Sequence, residues 1–199
     1  MSEGFKIQPG WSSRTPIDYP EDIGLAIPSN MSPDDIPDHF IDLYLRFYSS
    51  NYINQLGASC ILQSHLLRRI MRLHKIDASV KQVVMYWRND KKGHNVVMGN
   101  PHENLGEGEI DVHMVVKSEN WLLDFACSKL HYRFGYTAPR GIIVPWTKEL
   151  SKNYVDLGIG GKVSYVENNI PHPKIKNVRL AQREDELKFT REYFERYDF

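Results

Sequence analysis

The spacing of apolar residues changes along this chain, and that change constrains the fold more than any other feature. Between residues 33 and 74 apolar side chains recur at helical period. From 82 to 166 they fall into short β-rich runs, and from 179 to 197 a charged stretch with sparse apolar positions reads as helix again. Helices first, then strands, then a closing helix is the order of an α+β domain. Ser32-Pro33-Asp34-Asp35 supplies a capping hydroxyl, a first-turn proline and acids near the positive end of a helix, with Phe40, Ile41, Leu43, Tyr44 and Phe47 following at helical spacing. After a turn at Ser49-Ser50-Asn51, a second helix is predicted from near Ser59 to about His74. Ile61, Leu62, Leu66, Leu67, Ile70, Met71 and Leu73 are its apolar positions, and Arg68, Arg69 and Arg72 its wet face.

The remaining elements follow from composition. Gln82–Trp87 reads as a strand, and 88–109, with Gly93, Gly99, Pro101, Gly106 and Gly108, as a long polar loop. Ile110–Val116 and Trp121–Cys127 form a hairpin across Lys117-Ser118-Glu119-Asn120, and Gly141–Trp146 and Lys162–Val166 are further strands. Residues 1–32 hold Trp11, Tyr19 and Ile27 among Pro, Ser and Gly, the pattern of an extended arm laid over a core. The expectation is one domain over 1–199, with helices packed on an antiparallel sheet.

Charge narrows the partners. Lys and Arg total 25 and Asp and Glu total 25, so the formal net charge is zero, which argues against nucleic acid or an anionic membrane as main partner. No segment approaches the roughly 18 to 20 apolar residues of a membrane span, and the N-terminus lacks a signal core. A cytoplasmic location is expected unless a signal-independent route exports the chain. Two cysteines make no disulfide scaffold, and reducing compartments disfavour a lone Cys60–Cys127 bridge.

Chemistry concentrates in three residues. Cys60 follows Gly57-Ala58-Ser59 at the mouth of the second helix, where free N–H groups and partial positive charge favour a thiolate. Small residues before it leave room for a substrate carbonyl. His113 lies in Asp111-Val112-His113-Met114-Val115-Val116, and Asp124 in the apolar run Trp121-Leu122-Leu123-Asp124-Phe125-Ala126. A carboxylate in such a run needs a partner. A four-residue hairpin loop, or a two-residue one at Ser118-Glu119, sets His113 opposite Asp124, whereas a three-residue loop turns them to opposite faces. In this arrangement His113 takes the thiol proton and returns it to a leaving amine, and Asp124 fixes the imidazole tautomer. The oxyanion takes the Cys60 N–H and a side-chain amide, with Gln55 preferred over Asn54.

His113-Met114-Val115-Val116 followed by Trp121-Leu122-Leu123-Asp124-Phe125 resembles the core of transglutaminase-like proteins in the papain-like cysteine superfamily, and Gly57-Ala58-Ser59-Cys60 resembles the family's nucleophile at a helix N-terminus. The resemblance covers residues 54–127 and departs from the family where Ile61 stands in place of its usual tryptophan. It implies Cys60 as nucleophile, His113 as base and Asp124 as third member. The activity it implies is thiol-dependent hydrolysis or acyl transfer on an amide of a protein or peptide, whether as peptidase, deamidase, transamidase or acetyltransferase. This chemistry needs no cofactor.

Two rival readings use the same residues. Cys127 and His131 have a Cys-x3-His spacing that Asp124, His113 and Cys60 can complete into a metal shell, but paired CxxC spacing is absent. A non-catalytic binding module on the same fold is the other. Gly158-Ile159-Gly160-Gly161 lacks the Lys-Ser/Thr of a phosphate loop and reads as a turn. His74, His94 and His102 read as solvated, and Trp87, Trp121 and Trp146 as core.

Overall fold

The structure, a computed structural model, describes residues 24–49, 59–91, 93–100, 111–127, 138–170 and 172–197. Among these residues the elements are β1 (Leu25–Ala26), α1 (Asp38–Ser49), α2 (Cys60–Leu73), β2 (Ser79–Asn89), β3 (His94–Met98), β4 (His113–Ser118), β5 (Trp121–Asp124), β6 (Gly141–Pro145), β7 (Val155–Asp156), β8 (Lys162–Glu167), α3 (Ile175–Ala181) and α4 (Arg183–Arg196). The class is α+β. The strands form one sheet in the order β1-β6-β5-β4-β2-β8-β7, with β3 also on β2. The sheet is mixed, not purely antiparallel as expected, because β1 runs parallel to β6 while the other pairs are antiparallel. Leu25 and Ala26, within the expected arm of residues 1–32, are thus strand, and Gly24 O anchors them by accepting from Arg140 N and Gly141 N at 2.8 and 3.2 Å. Residues 1–23 of the arm lie outside the described residues.

Local chemistry explains most departures from the sequence reading. Ser32 opens a short 3-10 turn, Pro33–Asp35, in which the Asp35 carboxylate accepts from Ser32 N–H at 2.7 Å. Ile36 then turns extended, as a residue before proline must, and α1 begins only after Pro37, at Asp38. The region read as a loop after residue 88 contains β3, which pairs with the far half of β2 from Met85↔Met98 to Asn89↔His94. The closing helix is two helices, broken at Gln182. Gly158–Gly160 is a turn before β8, as read, and its Gly160 carbonyl accepts from the buried Trp87 indole at 2.8 Å.

The sheet carries a core on each face. On one, Phe40, Tyr44 and Phe47 of α1 and Leu66, Leu67 and Ile70 of α2 pack with Val116, Leu123 and Ile143, and Tyr193 of α4 closes the layer. On the other, Val83, Met85, Trp87, Val115, Leu122, Val144, Val163 and Tyr165 form a second cluster. Strand alternation puts His113 and Asp124 on this second face, beside Val115 and Leu122. Helices α3 and α4 lie along α2 and half-bury Arg68 and Arg69, so two of the three arginines predicted to be wet are partly covered. His74 is likewise half-buried, stacked on Phe194 with ring centroids 5.4 Å apart.

Candidate active site

Cys60 is the first residue of α2. Ser59 caps the helix, its hydroxyl accepting from Leu62 N at 3.3 Å. Two side chains of this helix tie it to β4: Cys60 Sγ donates to Val112 O at 3.0 Å, and Ser64 Oγ donates to Met114 O at 2.7 Å. Four helical residues rise about 6 Å and two strand residues about 6.8 Å, so the two ties match in pitch and hold α2 alongside the start of β4. That contact brings the sulfur to the end of the strand where His113 begins it.

The hairpin register differs from the expected one. Val116 pairs with Leu123, Lys117 with Leu122 and Ser118 with Trp121, leaving a two-residue turn at Glu119-Asn120 with Glu119 left-handed at φ 51°. Asp124 is therefore level with Val115, and His113 lies one diagonal step away. The slip is two residues, an even number, so both side chains keep the same face. His113 Nε2 and Asp124 Oδ2 are 2.6 Å apart, and both side chains are wholly buried.

The carboxylate is richly supplied with donors. Besides His113, Tyr165 Oη donates to Asp124 Oδ2 at 2.8 Å and Ala126 N–H donates to Oδ1 at 3.1 Å. Burial opposes its ionisation, but the charge and hydrogen bond of His113, with the Tyr165 bond, hold it below the usual carboxylate value. For His113 burial disfavours the cation, and Asp124 outweighs it. The Cys60 sulfur adds a hydrogen-bonding and charge contribution, and the imidazole is raised to about 9. His113 Nδ1, the ring nitrogen that Asp124 does not engage, holds no well-aligned bond among the described residues. Tyr165 is pushed well up by burial and then by Asp124, and remains a donor.

The structure thus brings Cys60, His113 and Asp124 together. Gln55 and Asn54 lie outside the described residues. Tyr165 was missed by sequence reasoning, although its position in Val163-Ser164-Tyr165-Val166 carried a signal: a core-facing tyrosine needs an acceptor and a buried acid needs donors. Cys127 makes a different contact. Its Sγ donates to Asp124 O at 3.6 Å, and burial, then the Asp124 charge, pushes its thiol well up, the condition of an inert cysteine. Neither cysteine forms a disulfide. His131 of the rival metal spacing is outside the described residues.

A cover lies over the sulfur. Cys60 is 4 % exposed. It shares a small cluster with Ile61, Val112, Met114 and Ala126, against which Ile175 and Val178 of α3 pack. Gln182, at the break between α3 and α4, donates from Nε2 to Ser59 Oγ at 2.8 Å. The other residues of α3 face solvent, so the helix is a thin cover that rests on Ile175 and Val178, with the Gln182 hydrogen bond at its C-terminal end.

No helix among the described residues is long and apolar enough to cross a membrane. No family model matches the sequence, and no curated protein matches it significantly. Among solved structures the chain is similar to the crystal structure of a structural-genomics protein, APC5867, at 18% identity and a TM-score of 0.51, covering 80% of this chain and 78% of that one. At that identity the likeness establishes a shared α+β fold.

Proposed function

We propose that this chain is a cysteine-nucleophile enzyme of the papain-like, transglutaminase-like kind, acting on an amide of a protein or peptide. The observation that carries the reading is the buried Asp124–His113 pair whose imidazole is acted on by a thiol at a helix N-terminus. His113 draws the proton from Cys60, and the sulfur adds to the substrate carbonyl. The helix N-terminus and the Cys60 N–H, with Gln55 as side-chain donor, serve the oxyanion. His113 then protonates the departing amine or ammonia, and water or a second amine resolves the thioester. Asp124 stabilises the imidazolium through both half-reactions, and Tyr165 fixes the carboxylate.

The burial of Cys60 beneath Ile175 and Val178 favours a second reading, a binding module that keeps the pair as structure. A broad thiol-directed acylating probe separates the two. Mass spectrometry of the labelled protein is expected to find an adduct at Cys60, lost in His113→Gln and absent at Cys127. A Cys60 that stays unmodified while a denatured control labels fully rejects the enzyme. Cys60→Ala is expected to abolish turnover with about 1 kcal/mol or less of stability lost, since a small buried side chain is exchanged for another.

A further inference from the structure

Away from the triad, α2 buries nitrogen atoms that meet no hydrogen-bond partner among the described residues. His65, Arg68 and Arg69 stand at i, i+3 and i+4 of the helix and so share one side of it. His65 is 6 % exposed. Both of its ring nitrogens, with Nε of Arg68 and Nε of Arg69, are shielded from solvent and have no hydrogen-bond partner among the described residues. Leaving such groups unmet costs about 1–3 kcal/mol each. The side is covered by α3, which contributes Arg179, and by α4, which contributes Glu186.

Charge is unbalanced at the same place. Burial, then Arg72, Arg179 and Arg69, lower the Arg68 value, with Glu186 alone opposing them. Glu186 is already engaged, 3.5 Å from Arg69 Nη1, and Arg72 donates from Nε to Ala78 O at 3.2 Å. Burial, then Arg179 and Arg68, bring His65 down to about 4. Unmet nitrogens and four arginines against the single carboxylate of Glu186, in one half-buried seam, suit a partner of definite chemistry. That partner is compact, carries several oxygens and is negatively charged.

We propose that the seam between α2 and α3 binds a small oxyanion of the phosphate type, held by His65, Arg68, Arg69 and Arg179. Bound there, its oxygens accept from the guanidinium groups of both helices and from the His65 ring, and its charge cancels the repulsion among the arginines. The proposal is independent of the cysteine chemistry, and its test reads no activity.

The test is thermal melting and histidine-ring NMR of the full chain at pH 7 in inorganic phosphate, against sodium chloride at matched ionic strength. At ten times Kd, phosphate is expected to raise Tm by about 3–6 °C and chloride to leave it unchanged. Phosphate is also expected to move the His65 titration upward. Arg179→Gln, a change at an exposed side chain, is expected to weaken phosphate about tenfold, the value of one charged hydrogen bond. O-phosphoserine distinguishes sources: equal binding means that the seam accepts a phosphate monoester, and binding of phosphate alone means that it takes the free ion. Equal Tm gains in phosphate and chloride, or unchanged phosphate affinity in both Arg179→Gln and Arg68→Gln, overturn the proposal and leave buried water as the partner of these donors.

Discussion

Tyr165 donates its hydroxyl proton to Asp124 at 2.8 Å, on the same oxygen that His113 engages from the other side. The two residues are 41 positions apart and meet because β8 and β4 both pair with β2: Met85 sits opposite Tyr165, and Val83 opposite His113. The strand between them therefore sets the spacing of the donors around the acid.

Tyr165→Phe removes one donor and leaves the ring. Asp124 should then ionise less readily, and the acidic limb of a kcat/KM–pH profile should move upward. A loss of about tenfold in kcat with KM nearly constant, and about 1–2 kcal/mol in stability, is expected. An unmoved acidic limb would confine Tyr165 to packing.

Asp124→Asn preserves shape and removes charge. Turnover is expected to fall by about 10⁴ with substrate binding little changed, as when a triad loses its orienting acid. Equal losses in kcat and in substrate affinity would show that the acid serves the fold and not the chemistry.

Stability should follow pH with two opposite signs. His113 is raised from 6.5 to about 9, so its contribution is complete below pH 6.5 and is lost as pH climbs through 9, roughly 3 kcal/mol in all. Asp124 is lowered, so its contribution is lost as pH falls through its depressed value. His65, lowered to about 4, works the other way from His113: its contribution is complete above 6.5 and drains away toward pH 4. Urea titrations of wild type and His113→Gln should differ most near pH 6.5 and converge by about 9.5. A gap of constant size across that range rules out the ion pair as its source.

Val178→Asp sets a charge against the small cluster that covers the thiol. Because α3 is otherwise exposed, the molecule should keep its fold while iodoacetamide reaches Cys60 at least about tenfold faster. Cys127, buried elsewhere, is the internal control, read by peptide mass spectrometry. Equal acceleration at both cysteines would indicate general unfolding.

Gly99 lies against the backbone of His113. It has φ +80°, and a Cβ there would run into the Val83 carbonyl and the His113 backbone nitrogen. Gly99→Ala is expected to cost about 2–4 kcal/mol and to lower turnover by displacing His113, checked by denaturation and rate together.

What could be read from the sequence was whatever depends on local period. The apolar spacing of 61–73 gave α2, and Ser59 marked its start within a residue. The facing of His113 and Asp124 survived a wrong register, because the slip is two residues and an even slip leaves each side chain on its face. Register depended on which two residues turn, and Glu119 in a left-handed conformation is an uncommon choice that composition does not signal. β3 escaped because its five residues include His94 and Asn95 and owe their strand state to β2. The break at Gln182 has no glycine or proline to announce it.

The thiol, the histidine–aspartate pair and the tyrosine that anchors the acid come from a helix, a hairpin and a strand near the C-terminus. Until α2 lies against β4, and β4 and β8 have both joined β2, the imidazole has no thiol beside it and the acid has no tyrosine to anchor it. On the proposed function, a chain still emerging from synthesis would carry an unassisted thiol, and catalysis would wait for the last long-range pairing to be made.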